Sequence, residues 1–173
     1  LSIRRQRQMC IRDRHDLGPA VVAHQAEASY SSVITVSAPE WLNRNRLYYR
    51  QLFSSPTALK SYSKDRWIAS PGELLERRFG LIRHVQGLRL KIELVDFEQQ
   101  FEAPGRARSL FSFKVEVFRR GDRKPLGKRF FSFQQQNESA DAAGAIKAFA
   151  ELSDQAAGEL EDWLEILNGP NNK

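Results

Sequence analysis

Residues 88–101 read "LRLKIELVDFEQQF", and their alternation decides the fold class. Leu88, Leu90, Ile92 and Leu94 fall on one side of an extended chain, the period-two pattern of a half-buried strand. The phase then slips, because Val95, Phe97, Gln99 and Phe101 continue on odd positions. A slip of one residue would turn the core face outward, so the pattern predicts a β-bulge near 94–95. "APGRAR" (103–108) breaks the strand, and "SLFSFKVEVFRR" (109–120) alternates again, with Phe111, Phe113, Val115 and Val117 on one face. "RGDRKPLG" (120–127) then supplies a turn and "KRFFSFQQQ" (128–136) a return strand, which makes an antiparallel hairpin.

Two helices flank this core. In "SPGELLERRFGLIRHV" (70–85), Ser70 can cap, Pro71 takes the first helical position and Glu73 completes a capping box. Leu75, Phe79 and Ile82 form an apolar stripe with Leu74, Leu81 and Val85 beside it, and Gly87 is the expected stop. "SADAAGAIKAFAELSDQAAGELEDWLEIL" (139–167) reads as a long helix capped by Ser139. Its expected inward positions are Ala142, Ile146, Phe149, Ser153, Ala156, Leu160, Trp163 and Leu167. Upstream, "VITV" (33–36) and "NRLYYRQL" (45–52) read as strands, and "KSYSKDRW" (60–67) as a short extended piece. The expectation is an α+β fold, an antiparallel sheet with two main helices packed on it, in a single layered domain over 33–168. Residues 15–32 are then a lead-in linker and 169–173 a disordered tail.

Composition fits a soluble globular chain, with 41% hydrophobic and 28% charged residues. No stretch approaches the roughly 20 apolar residues that cross a bilayer. The net charge of +6 would suggest a polyanionic partner, but its location weakens that inference. Residues 1–14 hold five arginines against Asp13, a net of +4, which leaves +2 for the rest. As an export signal this segment fails, since no apolar run follows its charges. Cys10 fails as a lipid-attachment site, because "RQMC" lacks the small and aliphatic residues that processing needs. "IRRQRQMCIRD" looks like a translated sequencing-adapter tract, so residues 1–14 are set aside as non-native or disordered. A nucleic-acid-binding arm is the alternative reading of the same arginines.

Candidate chemistry is sparse. His15, His24 and His84 are isolated in sequence, and one cysteine allows neither an internal disulfide nor a zinc site. Asp96 and Glu98 share a strand face and could be imagined as an acid/base pair, but a solvated face is the preferred reading. No Gly-rich phosphate loop, G-x-S-x-G or C-x-x-C motif occurs. No catalytic, cofactor-binding or metal-binding residue is expected, and the chain does not read as an enzyme. Alternating aromatics beside Lys128 and Arg129 resemble an RNA-binding sheet, yet packing of Phe111, Phe113, Phe131 and Phe133 under the helices is preferred. "RGD" (120–122) is a turn signal, and "NES" (137–139) matches a glycosylation sequon only formally. Trp41, Tyr48 and Tyr49 are the candidate partner contacts, since interfaces favour Tyr and Trp.

With residues 1–14 set aside, the order of motifs is similar to one family. "HDLGP" (15–19) resembles the "YDLGP" segment of ABC-type transport auxiliary lipoproteins, the PqiC-like family. "LYYRQLFSSPTALKSYSKDRW" (47–67) resembles its "Y-R … Y … S-x-W" run, and "RWIASPGELLERRF" (66–79) its "RW-x-x-x-P-x-E-L-L" helix start. "DAAGAIKA" (141–148) resembles its "D-A-x-G-x-x-x-A" helix. The resemblance spans residues 15–167. It implies a non-catalytic auxiliary subunit that assembles with an MCE-domain protein and ABC transporter subunits to move lipids or other hydrophobic compounds. It also implies a periplasmic protein held at the outer membrane by a lipid anchor missing from this chain. A homo-oligomer is one form that such assembly can take, and no nucleic-acid partner is expected.

Overall fold

A computed structural model describes residues 13–20, 33–83 and 85–169. Within them the chain forms β1 (Asp13–His15), β2 (Val33–Ser37), β3 (Arg46–Gln51), β4 (Ser55–Trp67) and α1 (Pro71–Phe79). There follow β5 (Leu88–Ala103), β6 (Arg106–Arg119), β7 (Gly127–Gln136) and α2 (Ala142–Asn168). The strands make one sheet in the order β1-β4-β3-β5-β6-β7, with β2 also on β5.

The long strand β5 organises this sheet. β6 pairs with it antiparallel along its length, and the register jumps between Leu94 and Asp96, so Val95 is the bulge that the alternation predicts. A second irregularity falls at Glu102, between Phe101 and Ala103. On its other edge β5 carries two parallel partners in succession, β2 along Arg89–Glu93 and β3 along Gln99–Phe101. The bulge lies in the gap between them. The sheet is therefore mixed, whereas an antiparallel sheet was expected; the class, α+β with two helices on one face, holds.

Several boundaries differ for local reasons. "APGRAR" interrupts the ladder for only Pro104 and Gly105, since Gly105 at φ 75° lets a two-residue turn close and Ala103 face Arg106. β4 runs 13 residues, starting at Ser55, well before the short extended piece expected over 60–67. α1 carries the capping box between Ser70 and Glu73 but ends at Phe79, not near Gly87. After it, Leu81 N–H bonds the Arg78 carbonyl and Ile82 N–H the Phe79 carbonyl, a tightening to three-residue spacing. That turn sends Ile82 and Val85 into the core and leaves Leu81 exposed. α2 is capped by Asp141, whose carboxylate accepts from Gly144 N–H; Ser139, the expected cap, instead donates to Asp141.

The core lies between the helices and one sheet face. Trp67, Phe79, Phe97, Phe111, Phe113 and Phe149 are fully buried there. Phe97 of β5 stacks on Phe149 of α2 at 4.0 Å between centroids, and Phe113 stacks on Phe131 at 5.1 Å. Such pairs each add about 1 kcal/mol beyond the area they bury. The buried side of α2 is broader than the predicted stripe, because Ala145, Ala148, Leu152 and Leu164 are fully buried while Ile146, Trp163 and Leu167 are only partly so. Small residues on this face bring the helix close to the sheet. At its first turn a Cβ on Gly144 would collide with the Ser139 carbonyl.

The segment before β2 is part of this fold over its described residues. Asp13 and Arg14 pair with Asp65 and Arg66, so strand structure starts within the stretch set aside, and Leu17 is buried in the core rather than in a linker. Residues 1–12, 21–32 and 170–173, and with them Cys10 and His24, lie outside the described residues, as does His84.

Candidate interaction surface

The face of the sheet away from the helices is open. On β5, β6 and β7 it presents Lys91, Glu93, Lys114, Glu116, Lys128 and Phe130, because alternate residues of each strand point there. Opposite charges face each other across the strands: Lys114 lies 3.6 Å from Glu93, and Lys128 pairs with Glu116. The Lys128 ammonium holds the Glu116 carboxyl below its ordinary range. Arg89 and Lys91 cover the ring of Phe118 at 4.7 and 5.5 Å, which buries that phenylalanine on an otherwise polar face. Lys91, Glu93, Lys114, Glu116 and Lys128 line a shallow groove of about 610 Å³ reaching from Ser37 to Phe130, a residue 54% exposed. The groove offers paired charges and one apolar spot to a binding partner.

Farther along the same face, the two carboxylates singled out in the sequence have separate partners. Asp96 accepts a hydrogen bond from Ser112 Oγ at 2.5 Å. Glu98 is only 4% exposed, which corrects the expectation of a solvated strand face. Arg50 Nε and Nη2 each donate to one Glu98 oxygen at 3.0 Å, and Gln100 Nε2 adds a third bond at 2.9 Å. A buried carboxylate needs such compensation, and the bidentate guanidinium supplies charge and geometry together. The same bond raises the Arg50 pKa. Arg108 extends the network by donating to Gln100 and pairing with Glu102.

The other candidates are dispersed. His15 Nε2 lies 3.2 Å from Asp65 Oδ1, where β1 meets β4. Phe111, Phe113, Phe131 and Phe133 are buried under the helices, so none offers its ring face to a base. Among the proposed partner contacts, Trp41 is 36% exposed, Tyr48 is buried with its ring against Trp41, and Tyr49 packs on Tyr62 and Phe101. Tyr48 is thereby corrected from contact residue to core. Tyr62 donates to Gln99 Oε1 at 2.7 Å while Gln99 Nε2 reaches the Asp141 carbonyl, and burial pushes the Tyr62 phenol pKa up. No cluster of metal-ligating side chains occurs among the described residues, and no helix among them is long and apolar enough to cross a membrane.

Sequence reasoning missed Arg78. It is 5% exposed, pairs with Asp154 of α2, and donates to the carbonyls of Leu17 and Gly18, the latter at 2.9 Å. The guanidinium thus fastens the "HDLGP" segment to both helices. The available signal was its position, three and four residues after Leu75 and Leu74 on an apolar stripe, where a cation requires a buried acceptor.

No protein-family model matches the sequence, and no curated protein matches it. Among solved structures, protein XCC0632 from Xanthomonas campestris, described under the family model DUF330, superposes with a TM-score of 0.69 at 20% identity. That match covers 79% of this chain and 84% of the other. A second crystal structure, of an uncharacterized protein, superposes with a TM-score of 0.63 at 12% identity, covering 77% of this chain and 90% of that one. At these identities the likeness is one of fold: the chain has the α+β architecture of the DUF330 protein.

Proposed function

We propose that this chain is a non-catalytic auxiliary subunit of a bacterial ABC/MCE-type envelope transport system that moves lipids or other hydrophobic compounds. It acts by protein–protein assembly in the periplasm at the outer membrane, held there by a lipid anchor outside this chain. The observation that carries the reading is the agreement between motif and architecture. "HDLGP" provides the carbonyls that Arg78 binds, "SPGE" forms the capping box of α1, and "DAAG" caps α2 and places Gly144 against Ser139. The motifs by which the sequence resembles the auxiliary lipoproteins are thus the ones that fix this fold. The open charged sheet face agrees with a binding role, since it offers paired charges beside an exposed aromatic ring.

The test is co-purification with the MCE-domain protein and ABC subunits of the same organism. A complex that survives gel filtration is expected, and its absence with both partners folded rejects the proposal. The competing reading, a basic nucleic-acid-binding module, predicts strongly salt-dependent binding that deletion of residues 1–14 abolishes.

A further inference from the structure

Among the described residues the sheet ends at β4 with its short partner β1, at β2, and at β7. The first two ends are blunted. β4 carries Pro56, Lys60 and Lys64, its register on β3 shifts twice, and β1 covers Asp65–Trp67. β2 is five residues long, and the carboxylate of Glu76 accepts a bond from its Val36 N–H. Unpaired main-chain groups on an edge template another strand, and features of this kind prevent it. β7 has none of them: its 10 residues pair with β6 without a register shift, include no proline and carry no charge beyond Arg129. Asn137 N–H bonds the Ala107 carbonyl directly across that register, so Arg129, Phe131, Phe133 and Gln135 turn their main-chain groups to β6. Those of Lys128, Phe130, Ser132, Gln134 and Gln136 therefore point outward, and none is bonded to another described residue.

We infer that β7 takes an added strand, an extended segment of a different protein, through these outward main-chain groups. The side chains beside the edge define its chemistry. Arg129 forms no ion pair with a described residue and calls for an acid opposite it. Phe130 is 54% exposed and pairs best with an aromatic or β-branched residue, while the exposed Ser132 and Gln134 suit hydroxyl side chains. At the far end Gln135 donates to Glu151 of α2, which sets a carboxylate there for a basic residue. A second copy of this chain does not fit the edge. Two β7 strands paired antiparallel about Ser132 would set Phe130 against Gln134 and Arg129 against Gln135, and the edge of β4 would bring Lys60 and Lys64 to the cations. The inference goes beyond the transport reading, and its failure would leave that reading standing.

The experiment is an NMR titration of the full chain with a designed peptide, acetyl-TKTVTVYDE-amide. Added antiparallel, it sets its acids beside Arg129 and Lys128, its tyrosine beside Phe130 and its lysine beside Gln135 and Glu151. Saturable binding with a Kd below about 1 mM is expected, with slowed amide exchange at Phe130, Ser132 and Gln134. Methylating the peptide nitrogens of the tyrosine and of the threonine opposite Ser132 removes two donors and should weaken binding roughly tenfold or more. Ser132→Pro removes an outward N–H, leaves the β6 ladder intact and should do the same; should that variant misfold, the methylated peptide tests the same bonds on the unaltered protein. Arg129→Glu should weaken the peptide and bind a form with both acids changed to lysine more tightly than the wild type does. No binding at about 1 mM, equal binding of the methylated peptide, or shifts centred away from β7 would each overturn the inference. So would an oligomer of the chain that Ser132→Pro dissolves, which would assign the edge to a second copy.

Discussion

Asp141 starts α2 and carries a titratable contribution to stability. The Ser139 hydroxyl and the Gly144 N–H hold its carboxyl below the usual aspartate range. The stabilisation is therefore present in full above the unfolded-state value of about 3.9 and is lost as pH falls through the lower folded-state value. Asp141→Ala should cost about 1 kcal/mol at neutral pH, read as a lower urea midpoint. Asp141→Asn should keep most of the cap and flatten the acid dependence, and an unchanged acid limb in that variant would refute the assignment. At Glu98 the expected effect is larger. Glu98→Ala leaves the Arg50 charge half-buried without its partner and should cost roughly 2–4 kcal/mol. Replacing both by leucine should return stability to within about 1 kcal/mol of wild type, measured as a double-mutant cycle. The Ser70 and Glu73 box was legible because its signal is local, three residues apart. The Arg50–Glu98 pair was not, because its partners are 48 residues apart and meet only through the parallel register of β3 on β5.

At the scale of elements, alternation fixed the long strands and their bulge. Leu94 and Phe97 face the core and Asp96 faces away, so removing Val95 leaves an unbroken period of two. Deletion of Val95 should give a folded protein destabilised by about 1–2 kcal/mol, through loss of the local twist. Deletion of Ile92 should instead shift Leu88 and Leu90 toward the outer face and prevent cooperative thermal unfolding. If both deletions behave alike, the bulge does not carry the register. Pairing partners were less legible than strands. β2 and β3 join β5 in parallel, and nothing in a short β-branched run states which neighbour it takes or in which direction. The early end of α1 was also hidden, since Leu81, Ile82 and Val85 continue a helical spacing that Gly80 interrupts with a tighter turn.

At the scale of the whole molecule, the fold class was legible while the distribution of charge was not. Residues 15–173 sum to only +2, and that sum conceals a net of +5 over 119–129 and a net of −5 over the helix at 142–168. Partner contacts were the least legible, because exposure depends on packing across elements: Tyr48 is core, while Phe130, next to the buried Phe131, lies open. The central claim is that this surface serves assembly within a transport complex. Its most direct test is a calorimetric titration of the chain with the MCE-domain protein of the same organism. Saturable binding is predicted, with a Kd of about 1 μM or tighter at near-physiological salt. No heat and no complex at roughly 100 μM of each protein would contradict the account.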